Sequence, residues 1–155
     1  MADVKNILDE EHEELKEMLV EAAHKNTEAG RIFSEVFRIF RHHLDKENET
    51  VVPLLAYLKD RLGDFMVKDK EALNLARAKF VETYPEMMRE HEEMAKLIRS
   101  SQDLLKNNTD RFSADLAEHI LHHVELEEEL LYPAAFASGD LVWHELEMLG
   151  DKKKR

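Results

Sequence analysis

Apolar residues recur every three or four positions along most of the chain, which is the spacing of an α-helix that buries one face. This pattern predicts a first helix from about Asp3 to His24. Its inward positions are separated by four, three, four and three residues: Leu8, His12, Leu15, Leu19 and Ala22. His12 is the one polar side chain in this apolar series. Thr27 follows the helix and has a hydroxyl that can cap the next one.

The second and third helices follow the same spacing. The inward stripe of the second is Phe33, Val36, Phe40, His43, Glu47, Val51 and Leu54. Its apolar period continues to Gly63, so we expect Pro53 to kink this helix without ending it. The third helix begins at Asp69 and has the stripe Phe80, Tyr84, Met87, His91, Met94 and Ile98. Within it, Pro85 predicts either a kink or a break that restarts with Thr83 as cap.

The fourth helix follows a turn at Asn107, Asn108 and Thr109, and its stripe is Leu116, Ile120, His123, Glu127 and Leu130. Residues 138–140, with the sequence Ser-Gly-Asp, predict its end, and residues 141–149 predict a short fifth helix. Four long helices with short connections predict an all-α fold. We expect an antiparallel up-down-up-down four-helix bundle with a short C-terminal helix.

Composition limits the classes of function. The chain has 155 residues, which predicts one domain over residues 1–150 and a basic C-terminal tail at residues 151–155. A net charge of −12 argues against binding to nucleic acid or to anionic membranes. There is no apolar N-terminal signal region and no run long enough to span a bilayer, so we expect a soluble, cytoplasmic protein. Cysteine is absent, so metal ligands would come from histidine and carboxylate groups.

The polar residues on the apolar stripes belong to an internal repeat. The stretches RHHLDKENETVVP, residues 41–53, and LHHVELEEELLYP, residues 121–133, share a His pair, a Glu four residues after the second His, and a Pro ten residues after it. Upstream, EEHEELKEML contains His12 and REHEEMAKLI contains His91, at nearly equal distances from the two pairs. We therefore interpret the chain as two helical hairpins related by a rough twofold axis.

The repeated residues predict a metal site. Residues four apart lie one turn above each other on one face of a helix, so the second His and the Glu of each stretch can bind one ion together. An unpaired carboxylate in a dry core would cost several kcal/mol, and two divalent cations would offset that cost. Each ion would take two imidazole nitrogens and one oxygen from each carboxylate, leaving one or two open positions. The six predicted ligands are His12, His43, Glu47, His91, His123 and Glu127.

Other polar residues are candidates for supporting contacts in this site. A single His on an apolar stripe is often a hydrogen-bonded core residue, but the doubled motif favours ligands. Glu11 and Glu90 are candidates to accept the outer imidazole N–H groups, although either also fits a surface acid. His119 lies one turn before His123 and could supply a fifth histidine. The first His of each pair lies about 100° round the helix, so we expect it to be interfacial or exposed.

The paired His-x-x-x-Glu motif with its trailing Pro resembles the hemerythrin family, in particular the hemerythrin-like His-His-Glu cation-binding domains. The resemblance covers about Asp9 to Pro133. It implies a four-helix bundle with a carboxylate- and oxo- or hydroxo-bridged di-iron centre. It further implies three sets of ligands: His12 and His43 on one iron, His91 and His123 on the other, and Glu47 and Glu127 as bridges. Spacing alone leaves iron, manganese and zinc open, and the resemblance favours iron.

Three functions remain open from the sequence. The preferred one is a protein that binds O₂ or a related small ligand at an open iron position, in storage, carriage or sensing. The second is an enzyme that uses the centre to reduce nitric oxide or peroxide, or to repair iron clusters. The third is an interaction module with a structural metal. Oxygen-carrying hemerythrins have a further His where this chain has Met87, and a four-His, two-Glu site looks more like members linked to nitric oxide, peroxide or iron handling.

Overall fold

The structure is a computed structural model that describes residues 4–62 and 69–154, and these residues form helices and short connections without strands. The elements are α1 (Val4–Ala23), α2 (Glu28–Glu49), α3 (Val51–Leu62), α4 (Lys70–Leu105), α5 (Arg111–Leu126), a π-helical turn (Glu127–Leu131) and α6 (Tyr132–Lys154). The elements α2 and α3 follow each other as one rod, and α5, the π-helical turn and α6 as another. With α1 and α4 they make the predicted all-α four-helix bundle. The predicted ends at Asp3 and Gly63 lie outside the described residues.

The bundle buries two apolar clusters with a polar layer between them. One cluster is centred on residues such as Leu15, Phe33, Phe40, Ile98 and Leu116, and the other on Leu54, Phe80, Met87 and Tyr132. On the rods of α1, α4 and α5, the predicted ligands lie in sequence between the residues of the first cluster and those of the second, and on the rod of α2 only Leu44 departs from this order. The hairpin partners α1 and α2 pack together, as do α4 and α5, while α2 also packs on α4 and α1 on α5. None of the described helices is long and apolar enough to cross a bilayer.

Side-chain caps determine where three helices begin. The Thr27 hydroxyl accepts a hydrogen bond from the Gly30 amide at 3.0 Å, which confirms the predicted cap of α2. Asp69 and Asp110 accept amide hydrogen bonds in the same way at the starts of α4 and α5. Each cap satisfies an amide that the first helical turn leaves without a partner. The helices therefore start close to the predicted positions.

The second rod is broken at Thr50, which corrects the prediction of a continuous helix kinked at Pro53. The helix α2 ends at Glu49 and α3 begins at Val51. Pro53 lacks an amide hydrogen for the Glu49 carbonyl, and its ring would collide with that carbonyl inside a helix. The buried Thr50 donates its hydroxyl to the Lys46 carbonyl at 2.7 Å, and its amide bonds to the Glu47 carbonyl. Pro53 thus lies in the first turn of α3, where a missing amide costs little.

The fourth rod is also irregular at its predicted ligand Glu127, where the α-helix widens into the π-helical turn. Pro133 has no amide hydrogen for the Glu129 carbonyl, and the chain forms the π-helical turn instead. The extra residue rotates the helix, so Leu130, predicted to be buried, is 58% exposed. Residues 138–140 do not end the helix, because α6 continues to Lys154. The predicted C-terminal helical segment is present, but it is the continuation of α6 and not a separate helix.

The helix α4 is continuous through Pro85, so the predicted restart at Thr83 is wrong. The Thr83 hydroxyl does not cap a helix. It donates a hydrogen bond to the Lys79 carbonyl at 2.8 Å, one turn back along α4. The long α4 can therefore bring Phe80, Met87 and His91 to the core along one face.

Candidate metal centre

All six predicted ligands lie together in the layer between the apolar clusters. Each is at most 5% exposed, so none is solvated. Their nitrogen and oxygen atoms form two groups, and within each group the atoms lie within 4.8 Å of one another. We call them site 1, with His43, Glu47, His91 and Glu127, and site 2, with His12, His123 and Glu127. The structure therefore contains two buried His and Glu groups that can hold a metal ion.

The pairing of histidines differs from the one implied by the family resemblance, which placed His12 with His43 and His91 with His123. The structure places His43 next to His91, with their Nε2 atoms 2.9 Å apart. It places His12 next to His123, with ring centroids 5.3 Å apart. This grouping is compatible with the packing of the bundle, because α2 is in contact with α4 and α1 with α5. Each site thus joins the two hairpins.

The two imidazoles of site 1 face each other with their Nε2 atoms. His43 Nδ1 is 2.8 Å from Glu90, and His91 Nδ1 is 3.0 Å from Glu128. Each carboxylate accepts the Nδ1–H, so Nε2 is the nitrogen of each ring that is left to hold a proton or a metal ion. Two lone pairs at this separation repel unless a proton or a cation lies between them. Site 1 therefore has the donor arrangement that a metal ion requires.

Site 2 contains buried polar atoms without hydrogen bonds. These atoms are both ring nitrogens of His12, Nε2 of His123 and Oε1 of Glu127. His12 Nε2 lies 3.4 Å from Glu47 Oε2 and 3.9 Å from Glu127 Oε1, while His123 Nε2 closely approaches Glu127. Buried polar atoms are nearly always paired, so this set of unpaired nitrogen and oxygen atoms fits the coordination of a cation. The imidazole and carboxylate donors suit a divalent transition metal.

Glu11 and Glu90 do accept the outer imidazole N–H groups, as the sequence suggested, but in a crossed arrangement. Glu11, next to His12 in sequence, binds His123 Nδ1 at 2.9 Å. Glu90, next to His91, binds His43 instead. This crossing follows from the twofold arrangement, because each hairpin supports a ligand of the other. Lys46 forms an ion pair with Glu90, which balances part of the negative charge at site 1.

Sequence reasoning missed two residues of the centre, Glu128 and Tyr132. The Tyr132 hydroxyl donates to Glu47 Oε1 at 2.5 Å and lies 3.1 Å from Glu127 Oε2. Its ring stacks on His91 with centroids 5.4 Å apart and an interplanar angle of 13°. The matching position of the first repeat is Val52, so the repeat contains no signal that would identify Tyr132 as a polar residue of the centre.

The charges in the metal-free centre depend strongly on these contacts. Burial alone would lower the pKa of His43, but its hydrogen bonds to carboxylates raise that pKa well above the usual range. The pKa of His123 is raised in the same way to about 10. Burial and the nearby Glu127 charge raise the pKa of Glu47. Burial would also raise the pKa of Glu127, but hydrogen bonds from the four histidines hold it well below its usual value. Protons on His43 and His123 therefore occupy nitrogens that a metal would need, and proton and metal compete for the same atoms.

The remaining histidines lie outside the two sites. His42 and His122 are exposed, as predicted for the first His of each pair. His119 is half-buried and belongs to neither group of converging ligand atoms. Its proposed part as a fifth histidine therefore gains no support from the geometry.

Comparison with known proteins gives one match. The family model of the Hemerythrin HHE cation binding domain matches residues 3–135, which include all six predicted ligands. Searches among curated proteins and among solved structures found no significant match.

Proposed function

The chain belongs to the hemerythrin family of HHE cation-binding domains, and from this membership we propose that it holds two iron ions, bridged by an oxo or hydroxo group, and binds O₂ or a related small ligand such as nitric oxide. Its role would be storage, carriage or sensing of that ligand. The observation that supports the proposal most is the pair of Nε2 atoms of His43 and His91, which face each other at 2.9 Å in a buried site.

The carboxylates are suited to bridge two ions. The two oxygens of Glu47 face different sites, with Oε1 3.1 Å from His43 Nε2 and Oε2 3.4 Å from His12 Nε2. Glu127 is arranged in the same way, with Oε2 2.9 Å from His91 Nε2 and Oε1 close to His123. Each ion would thus have two nitrogens and two oxygens from the protein. Four protein ligands leave one or two positions open.

Bound iron would supply open coordination positions and a reversible change of oxidation state. The protein supplies a dry environment and a hydroxyl, since Tyr132 holds its proton against Glu47 Oε1 at 2.5 Å. A small cavity of about 10 Å³ reaches Tyr132 and both carboxylates. That is room for about one water molecule. The apolar part of its wall is Leu8, Val51, Val52 and Leu131. The size and lining favour a diatomic ligand over a larger substrate.

Metal content tests the first part of the proposal. We expect protein purified under air to contain close to two irons per chain and to show oxo-to-iron charge-transfer bands, whereas manganese or zinc would give neither iron nor these bands. His43→Ala should lose at least one ion because it removes a nitrogen ligand of site 1. The matched control is His42→Ala, one residue away and exposed, which should keep both ions. Two ions retained by His43→Ala would contradict the assignment.

Ligand reactions test the second part. The reduced protein is mixed in a stopped-flow instrument with O₂, nitric oxide or peroxide. We expect a stable adduct with O₂ or nitric oxide that is reversed when the gas is removed. Repeated consumption of nitric oxide or peroxide would instead identify an enzyme. Two bound irons that react with none of the three would indicate a structural metal in an interaction module.

A further inference from the structure

We propose that the two cation positions are unequal: site 1 binds its ion more tightly and fills first, and the ion at site 2 is the exchangeable one. This inference rests on the proposed two-ion function. It comes from a comparison of the two halves of the molecule. The six predicted ligands are the same in both repeats, but the residues around them differ.

The first difference lies one residue after each bridging carboxylate. Glu128 follows Glu127 and accepts the Nδ1–H of His91 at 3.0 Å. The matching residue of the first repeat is Asn48, which lines the same surface groove as His12. His12 Nδ1 is buried and has no hydrogen-bond partner among residues 4–62 and 69–154. His91 therefore has a charged partner for its Nδ1–H, whereas the matching His12 has none among the described residues.

This difference changes the strength of the ligands. A carboxylate that accepts the outer N–H fixes the imidazole tautomer and makes the coordinating nitrogen more basic, and loss of such a partner typically lowers metal affinity by about 10- to 100-fold. Both histidines of site 1 have a carboxylate partner, namely Glu90 and Glu128. At site 2 only His123 has one, namely Glu11. Site 2 should therefore be weaker by a similar factor.

The second difference is the hydroxyl of Tyr132, which has no counterpart at the matching Val52. Tyr132 contacts Glu47 Oε1 at 2.5 Å and Glu127 Oε2 at 3.1 Å. These are the two carboxylate oxygens that face site 1. Carboxylate oxygens that are already held by a hydroxyl lose less conformational freedom when an ion binds than oxygens that are not held. Among the described residues, no hydroxyl is found to contact the carboxylate oxygens that face site 2, which are Glu47 Oε2 and Glu127 Oε1.

Anaerobic titration with Fe²⁺ tests the order of filling. Metal-free protein receives increasing Fe²⁺ in competition with a chelator, and native mass spectrometry counts the bound ions. We expect two steps whose affinities differ by about 10-fold or more. Crystals grown with one equivalent of Fe²⁺ should show the anomalous iron peak between His43 and His91. Two equal steps, or a first peak between His12 and His123, would overturn the inference.

Three variants assign the cause. Asn48→Glu introduces the missing carboxylate beside His12 and should tighten the weaker step by about 10-fold. Glu128→Gln should weaken the stronger step by about 10-fold or more. Glu129→Gln, at the exposed neighbouring residue, should change neither step. An unchanged stronger step in Glu128→Gln would contradict the inference while the two-ion function stands. Fewer than two ions on the wild-type protein would instead contradict the proposed function, and this inference with it.

Discussion

The Tyr132 hydroxyl lies 3.1 Å from Glu127 Oε2 although the two residues are five positions apart. In an α-helix five residues turn by about 500°, which would leave these side chains about 140° apart. The π-helical turn between them takes up one extra residue, and the Tyr132 amide bonds to the Glu127 carbonyl. The irregular backbone thus brings a hydroxyl to the carboxylate layer, in agreement with the frequent occurrence of π-helical turns at functional sites.

Deletion of Leu130 should therefore be tolerated. Leu130 is 58% exposed, and without it the turn can become a regular α-helix with the tyrosine four residues after Glu127, still facing the site. Pro133 would then lie inside a regular helix, as Pro85 does in the continuous α4. We expect a loss of about 1 to 2 kcal/mol in the free energy of unfolding, measured with urea. Deletion of the exposed Ala137, in the regular part of α6, should cost more than about 4 kcal/mol because it rotates the following core residues by about 100°. Equal losses would show that the π-helical turn does not absorb the extra residue.

Periodicity predicted most of the fold because each core residue follows from the last by three or four positions. It failed at Leu130, where one additional residue rotates the rest of the rod, and at Thr50, where the helix stops and restarts. Both interruptions come just before a proline that cannot donate an amide hydrogen bond. The prolines were visible in the sequence, but the response of the backbone to each of them was not. The helix of the second rod is interrupted by a turn at Thr50, whereas the helix of the fourth rod widens into the π-helical turn.

The candidate ligands could also be predicted, because a His-x-x-x-Glu motif that is repeated on an apolar stripe is typical of a metal site. The grouping of these residues into site 1 and site 2 could not be predicted. A stripe fixes the depth and the face of each side chain, but not which neighbouring helix that face meets. The repeat likewise drew attention to residues that match, so Glu128 and Tyr132, which replace Asn48 and Val52, escaped notice. In a molecule built from two similar halves, such mismatched residues carry the differences between the sites.

Gly30 should be the least replaceable glycine among those described. It follows the turn between α1 and α2, and a Cβ built on it would overlap with the backbone carbonyl of Lys25. We expect Gly30→Ala to lower the free energy of unfolding by about 2 to 4 kcal/mol, because a backbone atom cannot move aside cheaply. Gly150→Ala is the matched control, since a Cβ there meets nothing within 4 Å, and it should be neutral or stabilising by up to about 1 kcal/mol. Similar denaturation midpoints for the two variants would contradict the close approach at Gly30.

Glu145 should make the stability depend on pH in the acid range. Its carboxylate lies 2.6 Å from the Tyr57 hydroxyl, 2.7 Å from Arg61 and 3.0 Å from Lys70, so it joins α6 to α3 and α4. Burial opposes ionisation, but these contacts lower its pKa to about 2. A carboxyl with a lowered folded-state pKa stabilises the protein above its unfolded pKa, near 4.3, and loses this contribution as the pH falls towards 2.

The test is Glu145→Gln, which removes the charge and keeps the shape. At pH 7 we expect the variant to be less stable than the wild type by about 1 to 2 kcal/mol. The difference should shrink as the pH is lowered from about 4.3 towards 2, because the wild-type carboxyl then becomes neutral too. Glu147→Gln, at an exposed position of the same helix, serves as control and should match the wild type throughout. A stability difference that does not change with pH would argue against the ion pairs as its cause.

Removal of the metal should weaken the fold itself. With the ions gone, the facing nitrogens of His43 and His91 and the carboxylates between the sites remain buried at close range, and only protons can relieve their repulsion. A ligand that binds only the folded state stabilises it by about 2.7 kcal/mol when its free concentration is 100 times the dissociation constant. We therefore expect a chelator at neutral pH to lower the free energy of unfolding by at least about 3 kcal/mol, measured by circular dichroism in urea.

A pair of variants separates this effect from a general action of the chelator. His123→Ala removes a nitrogen ligand of site 2, so it should start less stable than the wild type and lose less when the chelator is added. His122→Ala, one residue earlier and exposed, should lose as much as the wild type. Protons compete for the same imidazole nitrogens, so the stabilisation by metal should also disappear as the pH falls below the range in which histidines bind metal. If the wild-type protein unfolds at the same urea concentration with and without chelator, the buried layer of histidine and carboxylate groups is stable by itself, and the physical argument for its cations fails.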